Sequence, residues 1–232
     1  MLRRILVGLS VLAVLVSSPL GAEEKPKPTR QVTYKTVGDV KLALHLFEPK
    51  GHSAEKKSPA IVFFFGGGWT SGTPTQFYPH CAYFAGRGVL AAAADYRVKS
   101  RHGVTPDVCV KDAKSAVRWL RRHADELGID PGKIAAGGGS AGGHIAACAG
   151  TVKGYEEEGE DLEISSRPDA LVLFNPALDL SPPSRHRGVS ASMRPHSPRN
   201  CTSTKTRPPP SSSTARKIRP SPLPRPPPSA LR

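Results

Sequence analysis

Residues Lys133 to His144 read Lys-Ile-Ala-Ala-Gly-Gly-Gly-Ser-Ala-Gly-Gly-His. A short apolar strand runs into Gly138-x-Ser140-x-Gly142, and a helix of small residues, Ala141 to Ala149, leaves it. A serine at so sharp a strand-to-helix turn is lifted clear of the sheet, where its hydroxyl can act as a nucleophile. The serine's strained backbone leaves no room for side chains two positions to either side, and glycine stands at both. A glycine-rich loop alone produces G-x-S-x-G by chance. Here the flanking strand and helix, and a second motif upstream, make it specific.

The second motif is Ile61-Val62-Phe63-Phe64-Phe65-Gly66-Gly67-Gly68-Trp69. A fully apolar run bounded by glycines predicts a buried central strand. The glycines then expose backbone N–H groups with no Cβ in the way. With the N–H of Ala141, which follows the serine, the amides of Gly67 and Gly68 form a candidate oxyanion hole for a tetrahedral ester intermediate. A strand-ending glycine loop explains the motif equally well when it stands alone. Two matching motifs in this order decide against that.

The rest of the chain alternates strand and helix. Val32–Val37 and Val40–Phe47, around Gly38-Asp39, predict an entry hairpin. Ala60–Phe65 is the next strand, and Pro79–Arg87 is a short helix stopped by Gly88. Val89–Ala94 is a strand ending at Asp95-Tyr96-Arg97. An amphipathic helix follows over Asp107–Leu127, with Val110, Ala113, Val117 and Leu120 at helical spacing. Lys133–Ala136 precedes the serine, Glu156–Glu163 reads as a solvated acidic loop, and Ala170–Phe174 is the last strand. Such alternation implies an α/β fold with a mostly parallel sheet covered on both faces.

These pieces resemble the esterase/lipase group of α/β-hydrolases with an HGGGW-type oxyanion loop, the hormone-sensitive-lipase-like and BD-FAE-type esterases. The matching residues are Phe65-Gly66-Gly67-Gly68-Trp69, Asp95-Tyr96-Arg97, Asp112 to Leu120, the Ser140 turn and Phe174-Asn175-Pro176, so the resemblance spans about Val32 to Leu180. It implies an α/β-hydrolase fold, Ser140 as nucleophile, and Gly67, Gly68 and Ala141 as oxyanion donors. It also implies a carboxylic or carbohydrate-linked ester as substrate, with no cofactor or metal. Phe65 stands where that motif usually has histidine, which predicts a lost side-chain tether for the loop.

The resemblance further implies two more strand–helix units carrying the triad acid and histidine, and residues 181–232 hold no such pattern. That segment contains 11 Lys+Arg, no acidic residue and 13 of the 24 prolines, so it predicts a disordered basic tail. Shifting the codons for Arg207 to Leu231 by one base, with suitable synonymous codons, yields PPPIIVHGTEDKTVPFATAAAFCA. That is the implied strand, acid turn and helix, so the tail reads as a frameshift product and the C-terminal strands of the fold as missing. His186 and His196 sit in this tail with nothing to fix them.

The charge of +14 follows the same division. Outside the tail, 22 basic residues meet 19 acidic ones, which argues against a nucleic-acid partner. Residues 1–22 read as an export signal: Arg3-Arg4, an apolar stretch Ile5–Val16 too short to span a bilayer, and small residues before Glu23. A periplasmic or extracellular location follows, with residues 23–180 as a partial hydrolase domain. Cys81, Cys109, Cys148 and Cys201 follow no metal-ligand spacing; the first three read by default as buried free thiols, while export would also permit a disulfide whose pairing the sequence does not choose.

Hydrolysis of an ester by this design needs a nucleophile, a base and an acid. His144, four residues after Ser140, reads as a packed helix residue rather than the base, because helical side chains point back along their own face. Asp179, just beyond the last strand, is a stand-in candidate for the acid. Asp95 and Arg97 read as anchors of the loop after their strand. The competing function class is a non-enzymatic exported protein whose basic tail binds an acidic surface or polymer.

Overall fold

Phe63 and Phe64 are wholly excluded from solvent in β3 (Ser58–Phe64), the strand at the heart of the sheet. A computed structural model describes residues 25–180, all within one compact unit bounded at Thr202. The second unit, Ser203–Arg232, lies outside the described residues. So do the export signal of residues 1–22, the tail with His186, His196 and Cys201, and the frameshift reading. The entry hairpin is β1 (Arg30–Val37) and β2 (Val40–Phe47); β4 is Leu90–Ala94, β5 Ile129–Gly139 and β6 Ala170–Phe174. They form one sheet in the order β1-β2-β4-β3-β5-β6. Strands β4, β3, β5 and β6 run parallel, while β2 pairs antiparallel with both β1 and β4.

Three helices make the parallel crossovers: α1 (Tyr78–Ala85) between β3 and β4, α3 (Pro106–Arg122) between β4 and β5, and α4 (Ala141–Thr151) between β5 and β6. The short α2 (Lys99–His102) lies between α1 and α3 in sequence. From β3 the chain steps one way to β4, then reverses to β5 and β6. Right-handed crossovers therefore place α1 on one face and α3 with α4 on the other. Phe63 meets Phe84 of α1, with ring centroids 5.6 Å apart. On the described edge, β6 leaves Leu171 and Phe174 exposed.

The long amphipathic helix ends at Arg122, five residues short of the expected Leu127. Ala124 and Leu127 stay buried, so the apolar spacing continues while the backbone has already turned towards β5. The turn is closed by Ile129 N–H donating to Ala124 O at 2.9 Å.

Polar residues of α3 point inward too, and they correct the reading of the acidic loop. Asp112, wholly buried, accepts from Lys35 Nζ (2.7 Å), Arg97 Nη2 (2.7 Å) and the Arg97 backbone N–H (2.9 Å). Glu157 completes this cluster, 2.6 Å from both Lys35 Nζ and Arg97 Nη2. Lys114 and Arg118 are each 2.6 Å from Glu156, and Arg118 also pairs with Glu160. Glu156, Glu157 and Glu160 are thus largely covered counter-charges and not a solvated face. Four buried cations behind α3 require them, since an unpaired buried charge is costly. Burial alone would raise the carboxyls of Glu156 and Glu157, but hydrogen bonds and charge from these cations outweigh it and lower both.

The cysteines divide. Cys81 and Cys109 are buried free thiols, and burial pushes both well up. Cys148 is disulfide-bonded, which corrects its reading as a free thiol. A buried helical position does not shield sulfur from a bond that chain folding brings to it.

Candidate active site

Ser140 sits between the last residue of β5 and the first of α4 with φ 51° and ψ −117°. A non-glycine residue holds such a backbone only where its surroundings over-determine it. Here Ser140 N–H donates to Phe174 O at 3.0 Å, while Ser140 O accepts from His144 N–H (3.0 Å) and Ala177 N–H (3.2 Å). The end of β6 and the first turn of α4 thus hold the turn from two sides. Ser140 itself is exposed.

The glycine at 142 is required by contact. A Cβ there would lie 2.0 Å from Phe64 O and 2.4 Å from Phe65 O, so α4 starts directly against the end of β3. The same approach brings the Gly66-Gly67-Gly68 loop to the serine: a Cβ on Gly66 would stand 3.4 Å from Ser140 Cβ. Gly67 has φ 139° and would drive a Cβ to 2.1 Å from Ser71 O. Its carbonyl accepts from Thr70 and Ser71 N–H, which curls the loop and leaves Gly67 and Gly68 exposed. The N–H groups of Gly67, Gly68 and Ala141 have no acceptor among the described residues.

Phe65 does not leave the loop untethered. Its ring stacks on Tyr96 (centroids 4.1 Å apart, 19° between planes), and the Tyr96 hydroxyl donates to Phe65 O at 2.7 Å. Tyr96 thus supplies a tether that histidine is not there to make. Behind the loop, Trp69 meets the His144 ring edge-on at 5.1 Å.

His144 is 1% exposed, with Nε2 3.6 Å from Cys148 Sγ, and burial pushes its pKa down to about 4. The ring packs on Trp69 and Cys148. Ser140 Oγ makes no hydrogen bond among the described residues. Asp179 is exposed in the coil after β6. Asp95 accepts from Tyr96 N–H and from Arg101, whereas Arg97 is committed to Asp112 and Glu157. The structure therefore brings together Ser140, Ala141 and the Gly67-Gly68 loop, and buries the His144 ring against Trp69 and Cys148. On the α1 side, Phe77, His80 and Phe174 pack as an aromatic wall beside Gly139. Among the described residues, no group of His, Cys, Asp or Glu could hold a metal ion, and no helix is long and apolar enough to cross a membrane.

Gln76 was not legible as a site residue. It lies in a one-turn 3₁₀ helix, Pro74–Phe77, and its Oε1 accepts from Gly66 N–H at 2.6 Å. No motif or periodicity marks it.

Comparisons with known proteins agree with this geometry. The BD-FAE family model matches residues 44–200. The carboxylesterase NlhH of Mycobacterium tuberculosis is 37% identical over 90 residues, 38% of this chain and 28% of that protein. The apo form of Thermogutta terrifontis esterase 2 superposes with a TM-score of 0.68 at 53% identity, covering 74% of this chain and 62% of that one. The same esterase with propionate bound gives 0.67 at 52% identity, with the same shares covered. The chain thus spans under a third of that curated relative and about three-fifths of the solved structure. A strained serine turn, a glycine loop curled against it, and a family model matching over most of the chain converge on one identification: the chain belongs to the BD-FAE family of α/β-hydrolases.

Proposed function

We propose that this protein is a serine-dependent hydrolase of short-chain carboxylic esters. The observation that carries the reading is the exposed Ser140 at φ 51°, beside three amides that have no acceptor among the described residues. The serine oxygen attacks the ester carbonyl, whose oxygen becomes an anion. The N–H groups of Gly67, Gly68 and Ala141 stabilise that anion as it forms. Collapse of the intermediate expels the alcohol and leaves an acyl-serine, which water then hydrolyses to the acid and free serine. The propionate-bound relative supports a short acyl group.

The hydroxyl proton needs an acceptor, and His144 is buried, with its basicity lowered by that burial. We read the chain as written as impaired, with its acid and base displaced by the out-of-frame segment 207–231. Its residual rate is then of the order left by a serine protease stripped of its triad, about 10³–10⁴ over the uncatalysed reaction. Export through residues 1–22 belongs to the same reading, and N-terminal sequencing of the exported protein checks cleavage before Glu23.

The test is hydrolysis of p-nitrophenyl acetate, propionate and butyrate by the chain, its Ser140→Ala variant and a frame-restored version. The expected result is weak, serine-dependent turnover that rises by orders of magnitude on restoring the frame. Equal rates with and without Ser140, in both backgrounds, overturn the reading. Acetylated and feruloylated xylan fragments beside these esters decide whether the alcohol is a carbohydrate.

A further inference from the structure

The N–H of Gly66 points neither into the sheet nor to water. It is buried at the mouth of β3, and its acceptor is the side chain of Gln76 at 2.6 Å. An N–H can be accepted only by the carboxamide oxygen, so this bond fixes which way the Gln76 amide faces. The point where a Cβ of Gly66 would lie is 3.5 Å from Gln76 Oε1, 3.4 Å from Ser140 Cβ and 3.0 Å from Gly139 O. Gln76 and the nucleophile therefore flank the same spot.

The residues that hold Gln76 are anchored in the core. Pro74 and Phe77 on either side are buried, and Phe77 stacks on Phe63 of β3 with ring centroids 5.1 Å apart and planes 7° from parallel. Thr73 Oγ1 and Thr75 Oγ1 are 2.6 Å apart, and Gln76 N–H donates to Thr73 O. The loop it grips is not rigid by nature. Gly67 and Gly68 both adopt left-handed φ values, and glycine leaves such a segment free to sample other conformations.

We propose that Gln76 is a positioning residue for the oxyanion loop. Resting on the ester-hydrolase reading above, it acts by locking the Phe65–Gly66 peptide plane so that the next two amides face the ester oxygen. Without an acceptor, the buried Gly66 N–H is unsatisfied, and rotating that plane to reach water turns the Gly67 and Gly68 amides with it. The hole is then disordered before substrate arrives, and the ordering is paid for in the transition state.

The test uses the full chain with Gln76→Met, which keeps the length and removes the acceptor, and Gln76→Glu, which keeps an acceptor oxygen. Two-dimensional ¹H–¹⁵N spectra report the Gly66, Gly67 and Gly68 amides directly. Serine-dependent p-nitrophenyl acetate hydrolysis is the rate above that of Ser140→Ala, and it is resolved into kcat and KM. The expected result is that Gln76→Met shifts all three amide signals and lowers kcat about tenfold with KM unchanged, in line with partial loss of oxyanion donors. Gln76→Glu returns the Gly67 and Gly68 signals to their native positions. If those two signals stay in place in Gln76→Met, or Gln76→Glu fails to restore them, Gln76 is a structural contact and the proposal is overturned. If no hydrolysis depends on Ser140 in either the chain or its frame-restored version, the ester-hydrolase reading fails instead, and the amide signals still decide the role of Gln76.

Discussion

The Phe65 ring lies almost parallel to Tyr96 at 4.1 Å, and the Tyr96 hydroxyl reaches back to the Phe65 carbonyl. Ring and backbone of one residue are thus held by a single partner. Tyr96→Phe keeps the stack and orphans a buried carbonyl, so it should cost about 1–2 kcal/mol in urea unfolding. Phe65→Ala removes the stack and opens a cavity, for about 3–5 kcal/mol. Near-equal losses would show that the hydroxyl, and not the ring, holds the loop.

Gly142→Ala should be more disruptive than its single methyl suggests. The added carbon would lie 2.0 Å from Phe64 O, a clash between backbone segments that no rotamer change relieves. A loss of about 3 kcal/mol or more is expected. A melting temperature within a few degrees of the parent would mean that α4 can slide away from β3.

Asp112 carries the buried charge cluster, so Asp112→Asn should destabilise by about 3–5 kcal/mol. It strips the shared anion from Lys35 and Arg97. Glu157→Gln leaves Asp112 in place and should cost markedly less. Denaturant titration of both variants separates an internal network from a solvated loop, which would give small and similar effects.

Acid stability should be shaped by His144. In the unfolded chain its imidazole titrates near the ordinary 6.5, and burial holds the folded value at about 4. Between those values the unfolded state binds the extra proton. The stability that a neutral His144 contributes is therefore fully present above about pH 6.5 and is lost progressively down to about pH 4, roughly 3 kcal/mol in all. The lowered carboxyls of Glu156 and Glu157 act in the same direction at lower pH, below the usual carboxyl range near 4.5. His144→Gln should flatten the profile between pH 6.5 and 4 in urea titrations. An unchanged slope there would assign the acid loss to other groups.

The parts of the molecule readable from the sequence were those governed by local rules. Strands Val40–Phe47 and Ala170–Phe174 occur with the expected limits, because uninterrupted apolar or alternating runs leave little freedom. Ser140 was identifiable because the turn demands glycine at positions 138 and 142, a requirement that shows in the letters. What was not legible depended on contacts distant in sequence. Lys114 and Arg118 look like the polar face of an amphipathic helix. Only the return of the chain some forty residues later, with Glu156 and Glu160, makes them an interior. Gln76 reads as one polar residue in a loop until folding sets it under Gly66. The helix that should have run to Leu127 shows the converse: its apolar spacing persisted, but those residues reach the core from a turn.

The two bonds that tie Ser140 to the end of β6 and the coil after it have one more implication. The serine's amide donates to Phe174 and its carbonyl accepts from Ala177, so the backbone tension at φ 51° is held by the last residue of β6 and the coil that follows it. That strand has exposed side chains on it, and local opening draws on such thinly covered elements. Each such excursion would let the serine relax into an ordinary conformation and take its hydroxyl away from the glycine loop. Readiness for attack is then an equilibrium with its own free energy, separate from global unfolding. The hydrogen-exchange rates of the Ser140 and Ala177 amides are a direct measure of it.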